Sequence, residues 1–127
     1  MKIVLVVEDN QAARELLERF LRILRQVAVV SVGDGQEAWG LLDGGVKFDL
    51  IISDHNLPGM SGLELLRRVR EDNRMTGTPF ALMSGDVIVS KEDPTRLEVV
   101  CARLRATFWS KPCDYNALIT ELLEDEK

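Results

Sequence analysis

The sequence predicts an α/β fold, a doubly wound five-stranded parallel sheet flanked by five helices. Short apolar runs alternate with amphipathic stretches of helical period five times along the chain. The first run, Ile3–Val7, is apolar at every position, as in a strand covered on both faces. Strands that alternate with helices pair in parallel, through right-handed crossovers. A chain of 127 residues has the size of a single domain and can bury a core without disulfide staples.

The elements follow in order. After Ile3–Val7, Asn10 is placed to cap a helix whose apolar positions are Ala13, Leu16, Leu17, Phe20 and Leu24. Val27–Val32 is rich in β-branched residues and reads as the second strand. Gly33-Asp34-Gly35 makes a turn, and Ala38, Leu41 and Leu42 mark a short helix ending at Gly44-Gly45. Phe48–Ser53 is the third strand. A polar loop with Pro58 and Gly59 leads to a helix carrying Leu63, Leu66 and Val69. Pro79–Ser84 is the fourth strand, with proline tolerated at its first position. Asp93-Pro94 reads as an N-cap and first helical residue, before the stripe Leu97, Val100, Cys101 and Leu104. Thr107–Ser110 is a short fifth strand. Asp114 caps the last helix, with Ala117, Leu118, Leu122 and Leu123.

Composition narrows the function. Hydrophobic residues make up 46% and charged residues 29%, which is globular and not disordered. Sixteen Lys and Arg against 21 Asp and Glu give a formal net charge of −5. That balance disfavours gripping nucleic acid by bulk charge or docking on an anionic membrane. The apolar run at the N-terminus is too short for a signal peptide core or a span, so the expectation is a cytoplasmic protein. Cys101 and Cys113 show no metal-ligand spacing. Arg67, Arg68, Arg70 and Arg74 read as a solvated helix face, and Trp39 and Trp109 as part-buried packing residues.

Ligands of an open parallel sheet bind outside the carboxyl ends of its strands. Glu8 and Asp9 follow the first strand, Asp54 the third, and Lys111 the fifth, while Ser84 closes the fourth. Three carboxylates at one edge repel each other, and a hard divalent cation relieves that. Mg²⁺ suits an all-oxygen set that keeps waters and a phosphate oxygen. Lysine supplies a positive point charge and serine a hydrogen bond. Such a set fits phosphoryl transfer, in which a carboxylate can be the nucleophile.

The blocks Val7-Glu8-Asp9-Asn10, Ser53-Asp54-His55-Asn56-Leu57-Pro58-Gly59-Met60-Ser61-Gly62, Met83-Ser84-Gly85 and Lys111-Pro112 resemble, in family order, the receiver domains of bacterial two-component response regulators. The resemblance implies a flavodoxin-like (CheY-like) fold with strand order 2-1-3-4-5, one receiver domain over residues 1–127 and no output domain. It implies Asp54 as phosphoacceptor for a phosphohistidine on a sensor histidine kinase or histidine phosphotransfer protein. Mg²⁺ would sit on Glu8, Asp9, Asp54 and the backbone carbonyl of Asn56. Ser84 and Lys111 would hold the phosphoryl oxygens, helped by the amides of His55 and Gly85. The peptide before Pro112 is expected to be cis. Ser84 and the aromatic Phe108 would form the switch, re-shaping the surface of the fourth helix, fifth strand and fifth helix for a downstream output protein. The implied protein is a phosphoacceptor with slow autodephosphorylation and not a turnover enzyme. It would be a monomer or weak phosphorylation-dependent dimer, with no direct nucleic-acid or membrane partner.

Other readings compete. A small Mg²⁺-dependent phosphatase with an aspartyl-phosphate intermediate would want a second Asp where Asn56 stands. An FMN-binding module is disfavoured by carboxylates where phosphate would bind. Gly33-Asp34-Gly35-Gln36-Glu37-Ala38 matches a dinucleotide fingerprint but follows the second strand instead of the first, so it reads as a turn and helix start. His55, next to Asp54, is expected to point away as an exposed modulator. Asp86 and Asn56 are expected to border the attacking water and tune phosphate lifetime. The Ser84–Lys111 interval is long for the family. Its extra residues fall in Gly85–Pro94, where Val87-Ile88-Val89 is either a partner contact or folded back onto the fourth helix.

Overall fold

A computed structural model of the chain describes residues 1–85 and 94–123, the side chains of 94–96 excepted. Asp86, Val87-Ile88-Val89 and the expected cap Asp93 lie outside the described residues. The elements run β1 (Ile3–Val7), α1 (Gln11–Arg25), β2 (Ala28–Val32), α2 (Gly35–Asp43), β3 (Leu50–Asp54), α3 (Gly62–Glu71), β4 (Phe80–Ser84), α4 (Pro94–Arg103), β5 (Thr107–Ser110) and α5 (Tyr115–Leu123). All neighbours pair in parallel, in the order β2-β1-β3-β4-β5.

Alternation along the strands builds two cores. Leu5, Val7, Ile51, Phe80 and Leu82 face one side, with residues of α2, α3 and α4 such as Leu42, Leu66 and Leu97. Val4, Val6, Ile52, Ala81 and Met83 face the other, with Leu17 and Leu21 of α1 and Leu118 and Ile119 of α5. This two-sided burial is why the strands read as unbroken apolar runs.

Side chains close the helix starts. Asn10 Oδ1 accepts from the Ala13 amide (2.9 Å), Asp34 Oδ1 from Glu37 (2.7 Å) and Ser61 Oγ from Glu64 (3.1 Å). Asp114 Oδ1 accepts from the amides of Asn116 (3.0 Å) and Ala117 (3.3 Å). Each cap satisfies an amide that the helix itself leaves unpaired. Asp34→Ala is expected to lower unfolding free energy by about 1 kcal/mol, read by urea denaturation.

Three expectations change. On α1 the buried residues are Leu17 and Leu21, whereas Leu16 and Leu24 are 48% and 45% exposed. The wet face of α1 thus keeps two of the apolar residues that recur at helical spacing. The third strand starts at Leu50 and ends on Asp54, not Ser53. Its last residue is held by register with Met83 and by the His55 amide on the Met83 carbonyl (2.7 Å). Arg70 is not part of a solvated face. Its guanidinium donates to the carbonyls of Leu104 (2.6 Å), Thr78 (2.7 Å) and Arg105 (3.1 Å), tying α3 to the segments around β4 and β5. Gly35, part of the apparent dinucleotide motif, is required by packing: a Cβ there would lie 2.4 Å from the Met60 carbonyl oxygen.

Candidate functional site

The site forms where β1, β3, β4 and β5 end. The Glu8 amide still bonds the Val32 carbonyl (3.1 Å), so the chain stays on the sheet one residue past β1. Glu8 is therefore buried, at 2% exposure, and Asp9 turns outward into solvent. Asp54, the last residue of β3, is 5% exposed. One carboxylate oxygen from each of Glu8, Asp9 and Asp54 lies within 4.8 Å of the others. Lys111 is placed by its amide on the Ser84 carbonyl (2.8 Å). Its Nζ reaches Glu8 Oε1 at 2.7 Å and Asp54 Oδ1 at 3.3 Å. The Lys111–Pro112 peptide is cis.

The charges do not balance. Burial, with Glu8 and Asp9 adding repulsion, pushes the Asp54 carboxyl up to about 6, although Lys111 pulls the other way. Burial alone would lower the Lys111 ammonium, but its bonds to Glu8 and Asp54 outweigh this and raise it. One lysine thus serves three carboxylates. The donor set is all oxygen and short of positive charge, which fits a small hard divalent cation. A second deficit sits beside it: Ser84 Oγ is fully buried and has no hydrogen-bond partner among the described residues. Buried hydroxyls are normally paired, so among the described residues this one stands out as an unmet donor at the strand ends.

The other expected residues fall as follows. The His55 amide donates to Asp54 Oδ1 at 3.0 Å. Gly85 borders the Lys111 stem: a Cβ there would touch its Cδ at 3.4 Å. Asn56 is exposed in the loop after β3. Phe108 is half-buried on β5, paired in register with Leu82, and packs against the core on the α3–α4 side. Trp39 and Trp109 are half-buried, Trp39 beneath the Arg68 guanidinium.

His55 departs from expectation: its side chain is buried, at 6% exposure, instead of exposed. The face to which it points is covered by the start of α3. The His55 carbonyl accepts from Leu57 (3.1 Å) and Gly62 (3.0 Å), and Nδ1 faces the Leu63 amide at 3.4 Å. One supporting residue, Arg14, carried no sequence signal of its own, and Asn10, read as a helix cap, has a second role here. Arg14 Nη1 donates to the Glu8 carbonyl (2.8 Å), and the Asn10 amide donates to Glu8 Oε2 (3.1 Å). Arg14 stands one turn inside α1, where a polar residue looks merely solvent-facing.

A parallel sheet of order 2-1-3-4-5 with carboxylates, a hydroxyl and a lysine at its carboxyl edge is the class of architecture found in receiver domains. The chain belongs to the response regulator receiver domain family, whose profile matches residues 4–123. It is 34% identical over 120 residues to the two-component response regulator ARR17 of Arabidopsis thaliana, covering 86% of this chain and 74% of that one. Among solved structures it resembles a response regulator receiver protein from Pseudomonas putida, with TM-score 0.81, 30% identity and coverage of 98% and 97%. The chemotaxis response regulator CheY4 of Vibrio cholerae gives TM-score 0.78 at 27% identity, covering 98% of each chain. Receiver domains are signalling domains of two-component systems rather than enzymes. No helix among the described residues is long and apolar enough to cross a membrane.

Proposed function

We propose that this chain is a phosphorelay receiver in which Asp54 takes a phosphoryl group from a phosphohistidine on a sensor histidine kinase or histidine phosphotransfer protein. An Asp54 carboxylate oxygen attacks phosphorus. The new P–O bond replaces the P–N bond, whose electron pair leaves with the imidazole. One observation carries this reading. Asp54 stands 3.3 Å from an ammonium, on the strand next to a buried hydroxyl that lacks a partner among the described residues. Lys111 and Ser84 then supply the two missing contacts of a phosphoryl oxyanion, and the amides of His55 and Gly85 border the same space. Mg²⁺ held by Asp9, Asp54, Glu8 and the carbonyl of Asn56 would supply the positive charge that three carboxylates and a phosphoryl group require.

Drawing Ser84 and Lys111 towards the phosphoryl group shifts the ends of β4 and β5. Phe108 lies half-buried on β5, where a shift of the strand end would reach it, so the surface of α4, β5 and α5 is the face offered to an output partner. The phosphatase alternative is weaker, because Asn56 cannot serve as its general acid.

Mg²⁺ and acetyl phosphate, followed by intact-mass measurement, test the proposal. The expected result is a labile adduct of one phosphoryl group, absent in Asp54→Asn and absent without Mg²⁺. An unchanged mass in the unsubstituted protein, under conditions where another receiver reacts, overturns it.

A further inference from the structure

The chain leaves the sheet at Glu8, and the two backbone groups of that residue are held differently. Its amide stays on the Val32 carbonyl at 3.1 Å. Its carbonyl meets no backbone amide among the described residues. Arg14 takes that place, with Nη1 donating to the Glu8 carbonyl at 2.8 Å. This is the one hydrogen bond of the half-buried guanidinium among the described residues, and it goes to a main-chain oxygen instead of a carboxylate. Gly33 gives the group its space, since a Cβ there would lie 3.3 Å from Nη1.

The Glu8 carbonyl belongs to the peptide that leads into Asp9. A peptide is planar, so holding its oxygen restrains the Asp9 amide and Cα with it. Asp9 depends on that restraint. Its side chain is exposed and accepts no hydrogen bond among the described residues, whereas the Glu8 carboxylate is held by Lys111 and by the Asn10 amide. We propose that Arg14 is a positioning residue of the metal site, which clamps the Glu8–Asp9 peptide and so aims the Asp9 carboxylate at the cation. This rests on the Mg²⁺ site of the phosphorelay reading. A planar, rigid guanidinium suits the task better than a flexible ammonium. A role through charge would have the opposite sign: a guanidinium near the site repels a cation, so its removal would tighten Mg²⁺ binding.

Calorimetric titration of Mg²⁺ into the full chain, unsubstituted and as Arg14→Met, tests this. Groups that hold a metal ligand in place govern affinity strongly, and Arg14→Met is expected to weaken Mg²⁺ about tenfold. The melting temperature is expected to fall by only a few degrees, as loss of one part-buried hydrogen bond would cause. Arg14→Lys keeps the charge and a donor but not the rigid fork, and its affinity is expected to lie between the two. The Glu8 carbonyl and Asp9 amide resonances, recorded without Mg²⁺, are expected to move in Arg14→Met. An affinity tighter than the parent's, or equal to it within about twofold, overturns the proposal. Weakened binding with both resonances unmoved also overturns it, since the peptide would then not be the route. If Arg14→Met does not fold, Arg14→Lys is judged by the same criteria. Phosphoryl uptake by the unsubstituted protein is measured in parallel. A parent that binds Mg²⁺ and takes up phosphoryl groups, with a variant equal to it, removes only the role given to Arg14. A parent that binds no Mg²⁺ removes the metal site and this proposal together.

Discussion

Asp54→Asn is expected to raise the melting temperature at pH 8 by several degrees, and the gain is expected to vanish as the pH falls towards 4. The folded protein holds Asp54 at about 6 against an ordinary 3.8, so ionising it costs more in the fold than in the unfolded chain. A difference of that size corresponds to about 3 kcal/mol. A carboxyl with a raised folded value stabilises the protein below its unfolded value and loses that contribution as pH rises through about 6. The penalty is therefore complete above that point, and asparagine, which never ionises, escapes it. We expect up to about 3 kcal/mol at pH 8, the attraction of Lys111 being already contained in the value of about 6. Paired melts of the two proteins from pH 4 to pH 8 measure it, and the difference between them removes the groups that do not interact with Asp54. A variant less stable than the parent at pH 8 contradicts the charge imbalance. The same substitution that is expected to end phosphoryl uptake should thus leave a sturdier fold.

Gly62→Ala is expected to be the more damaging change. An added Cβ would lie 2.3 Å from the Asp54 carbonyl oxygen, 2.7 Å from Leu82 Cδ1 and 2.9 Å from His55 Cα. Two of the three obstacles are backbone, so no side-chain rotation relieves them. Overpacking of this kind costs about 3 kcal/mol when the backbone must give. A loss of roughly 10 °C in melting temperature follows for a domain of this size. The backbone that must move is that of Asp54 and His55, so the surviving folded protein should also take up phosphoryl groups more slowly. Alanine tolerated with a shift of only a degree or two would mean that α3 can slide away from β3 freely. Thermal denaturation and the rate of mass gain from acetyl phosphate report the two effects.

These contacts also show where a sequence stops being readable. The sheet, its parallel sense and the residues gathered at its edge were legible because burial on both faces leaves unbroken apolar runs. The residues that end those runs are few. The caps Asn10 and Asp114 were legible for a local reason, since they act within three residues of themselves. The misread residues depend on distant partners. Arg70 looked solvated because the carbonyls of Leu104 and Arg105 lie far along the chain. Leu16 and Leu24 fit the helical period as well as Leu17 and Leu21, and only the position of the sheet decides between them. His55 was misplaced because the start of α3 covers the face to which it points, and a strand pattern does not show that cover. Within the site, residue types were legible, but not that Lys111 rests on Glu8. That depends on how far the chain follows the sheet beyond Val7.

Ser84 Oγ, buried without a partner among the described residues, acquires a further meaning beside an Asp54 that is costly to ionise. Natural sequences are minimally frustrated, and local conflicts that survive tend to mark places kept for function. Here two conflicts lie on adjacent strands, at Asp54 and at Ser84, and under the proposed function each would be resolved by the metal and the phosphoryl group. Their resolution is a gain in native-state stability, spread through β3 and β4 at the centre of the sheet. Slowed amide exchange along those two strands would be its signature, so the domain can report occupancy of its site as a tightening of its own middle.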